Sequence, residues 1–426
     1  MNRLIYKNLL KWKNSPTRKP LLLQGARQVG KTYILETFGK KEFSKHYLFN
    51  FEKNKNLNLI FDKDLNPERI ISELSISSGK RIDINTDLVI FDEIQECPRA
   101  INSLKYFCED MPKLSLCSAG SHIGVKLSSD PFPVGKIEFL QLYPMNFQEF
   151  LNATEESMLI EIFESFNKEK IIPEIAHIKL MDILKEYYIT GGMPQVVSTY
   201  LSSRNNKVEA IKNVRSLQRD LMESYTKDFA KHAGKINSMH IISVLENIPM
   251  QLSKNIDGSI KRYQFKGVIP KKKSFPELQG PIDWLEKAGL VIKVKVCNRS
   301  ELPLEAFCKN NMFKLLLFDI GLLGSMLDLP YNSILSQDYG IIKGYFAENY
   351  VAQELVASGV SKLYSWTERN SEIEFLQSID GKIVPIEVKA GTKTQAKSLK
   401  QYIIKYSPEK TIKISGKPLE IKNKTL

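Results

Sequence analysis

Two groups of side chains in this 426-residue chain have types and spacings that could do chemistry. The first is Gly25-Ala26-Arg27-Gln28-Val29-Gly30-Lys31-Thr32, with Tyr33 next. Gly25 and Gly30 let a backbone wrap an anion without a Cβ clash. Amides at the start of a following helix would point at a β-phosphate. Lys31 supplies charge for the β- and γ-phosphates, and the Thr32 hydroxyl can sit on Mg²⁺. About sixty residues on, Asp92-Glu93 ends an apolar run. Asp92 would hold Mg²⁺, directly or through water, and Glu93 would orient or deprotonate an attacking water. The chemistry expected is Mg²⁺-dependent ATP binding and hydrolysis. A chance glycine turn, or an acidic strand end, is the bland explanation of either motif alone. Their occurrence together favours the functional one.

The second group is Glu372, Glu374, Glu387 and Lys389, on two alternating runs joined by Asp380-Gly381. Asp-Gly between alternating runs signals a two-residue hairpin. Opposed positions then sum to 761, so Glu374 faces Glu387 and Glu372 faces Lys389. Residues two apart share a face, which gathers these four charges and puts Ile373, Phe375, Ile386 and Val388 on the other. Opposed carboxylates roughly 5 Å apart repel, so Glu374 and Glu387 call for a cation: Lys389, or a divalent metal suited to oxygen ligands. Lys389 could also position a water or stabilise phosphate charge. A solvated outer sheet face with crosswise-paired charges remains the alternative.

These groups need elements to position them. Leu21–Leu23 reads as a buried strand leading into the glycine loop, and Tyr33–Phe38 as the helix after it. Asp87–Glu93 reads as a buried parallel strand delivering its carboxylates to the C-terminal edge. Further strands are expected at His46–Phe51, Leu114–Ser121 and Ile137–Leu142, and helices at Glu68–Leu74 and Phe147–Leu151. Leu4, Ile5, Leu9 and Trp12 give the N-terminus an amphipathic lead-in stopped by Pro16 and Pro20. Strand and helix thus alternate over the first ~150 residues, as a parallel α/β sheet requires. Residues 155–232 read as helical, broken at Gly191-Gly192-Met193-Pro194. Pro330 to Gly340 reads as a linker.

Hydrophobic content of 42% and charged content of 26% are those of an ordinary globular chain. No segment approaches ~18 uninterrupted apolar residues, and no signal peptide is visible. Five scattered cysteines support neither a zinc site nor a disulfide framework. The five histidines are dispersed. A cytoplasmic chain with no membrane partner is expected. The net charge is +13, and Gln251–Ser300 carries eleven Lys/Arg against four Asp/Glu. This window includes Lys261-Arg262-Tyr263-Gln264-Phe265-Lys266 and Lys271-Lys272-Lys273. Helices, a further helix over Pro281–Ala288 and a strand over Leu290–Val296, with Lys293 and Lys295 on one face, follow winged-helix order. DNA contact is one reading of it; a solvated basic face or a protein contact is the other.

The chain resembles a large prokaryotic family of AAA-type ATPases with an uncharacterised C-terminal domain similar to the PD-(D/E)xK nuclease fold. The resemblance rests on Gly25–Thr32, Phe91-Asp92-Glu93-Ile94-Gln95, Ala119-Gly120-Ser121, Phe132-Pro133-Val134-Gly135-Lys136 and Leu142–Leu151. Gly191-Gly192-Met193-Pro194, Tyr345-Phe346-Ala347-Glu348-Asn349 and Ile386-Glu387-Val388-Lys389 also match. It implies that Ser121, ending the strand after Asp92-Glu93, senses the γ-phosphate. It implies a nuclease-like constellation of Glu348, Glu374 as metal acid, and Glu387-x-Lys389. Glu374 departs from the family's usual Asp by one methylene, and the family's final strand is hard to recognise in Ile412–Leu426. Many AAA-type enzymes borrow an arginine from a neighbouring subunit; Arg99 is the candidate here, so a homo-oligomer is expected.

The fold expected is a multidomain α/β chain. Residues 1–153 form a P-loop AAA-type domain, 154–235 a helical lid or connector, 236–335 a winged-helix-like domain and 336–426 a small nuclease-like domain. Three functions follow: an Mg²⁺-dependent ATPase acting on or near nucleic acid, a nucleotide-gated binding module with slow turnover, and a metal-dependent nuclease.

Overall fold

The computed structural model describes residues 2–121, 133–166, 172–253, 262–338, 340, 342–369, 371–391 and 397–420. His122, Phe132, Lys261, Ile341 and the tail 421–426 lie outside the described residues, as does the side chain of His232. The chain divides into two compact units, Met1–Tyr143 with Lys287–Gly289, and Pro144–Glu286 with Leu290–Leu426.

The first unit opens with α1 (Tyr6–Lys13), which buries Leu9 and Trp12. Then follow β1 (Leu21–Gly25), α2 (Lys31–Glu42), β2 (His46–Asn50), α3 (Asn58–Asp62), α4 (Pro67–Ser78), β3 (Leu88–Asp92), α5 (Pro98–Asp110), β4 (Ser115–Ser121) and β5 (Glu138–Gln141). The strands form one sheet in the order β2-β3-β4-β1-β5, every neighbouring pair parallel. β1, β3 and β4 are buried along their whole length. That explains the apolar runs Leu21–Leu23 of β1 and Leu88–Phe91 of β3, since parallel strands are covered on both faces. α4 shows why its start was readable: Asn66 accepts a hydrogen bond from the Arg69 amide and Pro67 begins the helix, which runs past the expected Leu74 until Gly79 ends it at φ 67°. One core is built on Phe51, Phe61, Phe91 and Phe107, whose rings meet edge to face.

The second unit begins with α6 (Phe147–Ala153), capped reciprocally by Asn146 and Glu149. Five helices follow: α7 (Ser157–Glu164), α8 (Glu174–Thr190), α9 (Pro194–Ser202), α10 (Lys207–Ala233) and α11 (Lys235–Ser253). After α12 (Phe275–Ala288) come β6 (Val291–Cys297), β7 (Cys308–Leu317), α13 (Ile320–Met326), α14 (Tyr331–Ser336) and α15 (Ile342–Ala357). The chain continues as β8 (Leu363–Glu368), β9 (Ser371–Ile379), β10 (Lys382–Val388), α16 (Lys397–Tyr406) and β11 (Ile412–Ile414).

The first compact unit ends at Tyr143, ten residues before the boundary expected after 153; α6 is tied to the second unit, the Phe147 amide donating to Glu354 on α15 at 2.9 Å. The strand expected over Leu290–Val296 is part of a larger sheet. β6 and β7 are antiparallel, but β6 also pairs in parallel with β8, so they belong to one six-stranded sheet, β11-β10-β9-β8-β6-β7. The boundary at 335 therefore cuts through a sheet. The linker at Pro330–Gly340 contains α14, which buries Ile334. Conversely, the final strand missing from the sequence reading exists: β11 lies parallel to β10.

The Gly191-Gly192-Met193-Pro194 motif is explained by close packing. Gly191 ends α8 at φ 69°, and a Cβ on Gly192 would lie 2.0 Å from the Met145 carbonyl oxygen. The Gly192 amide donates to Asp319 at 2.6 Å, and Pro194 starts α9.

Candidate functional site

At the C-terminal edge of the first sheet, β4 separates β1 from β3. A crevice outside the C-terminal ends of parallel strands is where such sheets bind ligands. Gly25 ends β1 because a Cβ there would lie 2.3 Å from the Leu142 carbonyl oxygen. Ala26 and Val29 are buried, Arg27 is half-buried, and Gln28 is exposed at φ 62°. Gly30 caps α2 at φ 93°, in the left-handed region that glycine takes without strain. Arg3, which sequence reading missed, donates to the Val29 carbonyl at 2.9 Å and so ties the loop to the N-terminal segment. Tyr33 is exposed on the first turn of α2.

Lys31 is buried, and its Nζ donates to the carbonyls of Ala26 at 2.8 Å and Gly25 at 3.1 Å. Burial lowers its pKa to about 8, against the opposing pull of Glu93 and Asp92. Thr32 Oγ1 donates to Asp92 Oδ1 at 2.9 Å. The other Asp92 oxygen accepts from Asn50 Nδ2 at 2.7 Å. Asn50 was also missed; its only signal is that β2 ends level with β3, Asn50 opposite Asp92. Glu93 sits at φ 50° just past β3 and accepts from Gln95 at 2.5 Å. Ser121 is opposite Gly25 in the β1–β4 register and is nearly buried. Lys31, Thr32, Asp92, Glu93 and Ser121 therefore all stand at one sheet edge. Arg99 is elsewhere engaged, its Nε donating to the Phe61 carbonyl at 2.6 Å.

The second group lies in the second unit. The hairpin register sums to 761 from Lys382–Ile379 through Ile386–Phe375. Asp380 and Gly381 both have positive φ, 51° and 72°, as a type I′ turn requires. The four charges do not lie on a solvated face. They are largely buried and pair in two sets. Glu372 pairs with Lys314 of β7, which also bonds Glu348 of α15 at 2.6 Å. Glu374 and Glu387 pair with Lys389, at 3.6 and 2.9 Å. Lys314 was not anticipated, because only the sheet brings it to these carboxylates.

Glu387 is 1% exposed. Although Lys389 is near, neither of its carboxylate oxygens makes an aligned hydrogen bond. Glu374 accepts from the Val388 amide at 3.0 Å, and burial, partly offset by Lys389, pushes its pKa up to about 7. Among the described residues, no group of three or more His, Cys, Asp or Glu side chains is arranged to hold a metal ion. A cavity of about 580 Å³ opens at the C-terminal ends of β10 and β11, lined in part by Lys389, His177, Tyr188, Lys343 and Lys417.

The aromatics of the basic window are core. Tyr263, Phe265 and Phe275 surround Phe313 at ring-centroid distances of 5.7 to 6.0 Å. Lys266, Lys271 and Lys273 are exposed. No helix among the described residues is long and apolar enough to cross a membrane.

Residues 17–151 match the model of an AAA domain, residues 181–333 a domain of unknown function (DUF8612) and residues 343–422 a second domain of unknown function (DUF4143). Together with the five-stranded parallel sheet, the first match supports ATP binding and hydrolysis by an AAA-type P-loop domain. Among solved structures, the chain is similar to the Aeropyrum pernix ORC1 protein in complex with DNA, at 13% identity over 78% of this chain and 92% of that one, TM-score 0.32. It is similar to the Thermotoga maritima RuvB Holliday junction branch migration motor at 12% identity, over 71% and 90%, TM-score 0.32. AMPPCP-bound DnaA from Aquifex aeolicus aligns at 14% identity, over 67% and 88%, TM-score 0.30. No curated protein matches the chain.

Proposed function

We propose that the chain is an Mg²⁺-dependent ATPase whose turnover serves the second unit. One observation carries this: Lys31, Thr32 and Asp92 converge at one sheet edge, with Thr32 Oγ1 2.9 Å from the Asp92 carboxylate. Hydroxyl and carboxylate are hard oxygen donors that fit Mg²⁺, so Thr32 and Asp92 are the residues that would hold it. When bound, Mg²⁺ would neutralise charge on the β- and γ-phosphates. The loop amides from Gly25 to Tyr33 cradle the phosphates, and Lys31 adds a charge held in place by two carbonyls. Glu93, fixed by Gln95, orients the attacking water and accepts its proton. Ser121 contacts the γ-phosphate.

The test is steady-state ATP hydrolysis alongside binding. Glu93→Gln is expected to keep nucleotide affinity within a few-fold and to lower turnover at least a hundredfold, within the range for a general base. Wild-type turnover by this variant would remove Glu93 from the mechanism. Turnover with single- and double-stranded DNA at two salt concentrations tests the coupling to nucleic acid through the exposed lysines of 266–273. Stimulation that fades steeply with salt supports phosphate contacts. No stimulation by either DNA favours a nucleotide-gated module docking another protein.

A nuclease reading of the second unit is favoured by the buried Glu387 carboxylate, which accepts no aligned hydrogen bond, beside Lys389 and Glu374. Glu348 enters this reading only as a partner of Lys314. Plasmid cleavage with Mg²⁺ or Mn²⁺ that is lost in Glu387→Ala supports it, and cleavage that persists refutes it.

A further inference from the structure

We propose that Cys297 and Cys308 form a site of reversible oxidation, where a small disulfide such as glutathione disulfide converts the pair to an intramolecular disulfide. The two stand opposite each other in the antiparallel β6–β7 ladder. Directly opposed residues have Cα atoms roughly 4.5–5.5 Å apart, inside the span of roughly 4.4–6.8 Å that a disulfide bridges. Their Sγ atoms are 2.7 Å apart, closer than the roughly 3.5–4.0 Å at which non-bonded heavy atoms settle. Both thiols point at one acceptor, the Leu304 carbonyl, at 3.6 Å from Cys297 and 3.3 Å from Cys308. All five cysteines are free, and neither member of this pair belongs to the nucleotide site or the carboxylate cluster.

The pair is asymmetric in a way that suits thiol–disulfide exchange. Cys297 is fully buried and Cys308 half-buried, so a dissolved reagent reaches Cys308 first. The hydrogen bond between them, the largest influence on each, holds the Cys308 thiol below its ordinary range and Cys297 above it. Cys308, as thiolate, attacks one sulfur of glutathione disulfide and expels one glutathione thiolate. Cys297 then attacks the Cys308 sulfur of the mixed disulfide and expels the second. Two protein thiols are oxidised, one disulfide is reduced, and the two thiol protons leave on two glutathione molecules. The ladder's register is irregular between Lys295 and Cys297, so the bond pins the end of β6–β7 beyond that irregularity.

The test is peptide mapping of the full chain after equilibration in glutathione redox buffers, with rapid alkylation of the remaining thiols. The expected result is a Cys297–Cys308 crosslink that grows with the oxidised fraction and is reversed by dithiothreitol. Thiols titrated after denaturation should fall from five to three. Cys108→Ser should leave the crosslink in place, and Cys308→Ser should abolish it. Alkylation of both cysteines in a buffer that fully oxidises a control dithiol would overturn the proposal. So would a mixed glutathione disulfide on Cys308 that never passes to Cys297. The wild-type map decides even where a serine variant fails to fold.

Discussion

Burial sets the Lys31 ammonium at a pKa of about 8, against an ordinary value of 10.5. Its charge is therefore poised to vary over an accessible pH range. Only the protonated form offers the phosphates a cation. The protonated fraction is about 0.9 at pH 7 and about 0.1 at pH 9. A nucleotide that requires the charge should bind about tenfold more weakly at pH 9 than at pH 7. The triphosphate gains negative charge over this range, so the ligand cannot account for a loss. Binding at pH 9 should also take up close to one proton, about 0.9, because bound phosphate draws Lys31 back to its charged form. Calorimetric titration with a non-hydrolysable ATP analogue, in buffers of different ionisation enthalpy, measures both quantities. An affinity that is flat from pH 7 to 9.5, with no proton uptake, would refute the depressed pKa. The same shift has a stability consequence. Because the folded pKa lies below the unfolded one, the charged form is disfavoured in the fold. The cost is about 3 kcal/mol below pH 8 and vanishes as pH rises to about 10.5. Lys31→Met should thus raise the melting temperature at pH 7, less so at pH 10, while abolishing nucleotide binding. A pH-independent change would contradict this account.

Lys314→Ala leaves the buried Glu348 and Glu372 without their cation and should destabilise the second unit by about 3–5 kcal/mol, read by urea unfolding against Lys271→Ala, which should change little. Burial alone would lower the Lys314 pKa, but the two carboxylates outweigh it and raise it, so its contribution is present through neutral pH and is lost only as pH rises through that raised value. Glu354→Gln should stabilise the second unit, because burial pushes the Glu354 carboxyl up to about 8 and makes its ionisation unfavourable in the fold. Full stability holds below an unfolded pKa of about 4.5 and falls as pH rises to 8; the variant should gain about 3 kcal/mol at pH 7 and nothing near pH 4. Glutamine keeps the acceptor for the Phe147 amide, and melting curves from pH 4 to 8 that run parallel for both proteins would refute this prediction.

The parts legible in the sequence were those whose partners are local. The hairpin register followed from Asp380-Gly381 alone, because turn type fixes pairing. β1 and β3 were legible as apolar runs ending in the residues that matter. The main obstacle is pairing at long range. The β6–β8 pairing joins residues far apart along the chain, Cys297 with Trp366, and no local pattern announces it. β7 lies in the apolar stretch around Phe313, which Lys314 interrupts in sequence although in the fold it is the centre of an ion-pair set. Alternating Tyr263 and Phe265 resembled an interaction surface, because periodicity does not say which face is buried.

How the carboxylates of the second unit are divided decides how the nuclease-like resemblance should be weighed. Four carboxylates and two lysines meet there, and the sheet assigns Lys314 to Glu348 and Glu372, leaving Lys389 for Glu374 and Glu387. Glu348 is therefore not an available ligand unless Lys314 withdraws. Glu374, with a pKa of about 7, carries a proton about half the time at neutral pH. A divalent cation at this place would compete with that proton and with the Lys389 ammonium. The Glu387 oxygens, which accept no aligned hydrogen bond, give it a foothold, but the second unit holds its charges balanced without it. At the first site Lys31, Thr32 and Asp92 converge at one sheet edge, and Lys31 bears the cost of being charged there. A strongly desolvated charge in a crevice at a sheet edge marks a functional site. For that reason the P-loop leads the functional reading and the hairpin follows.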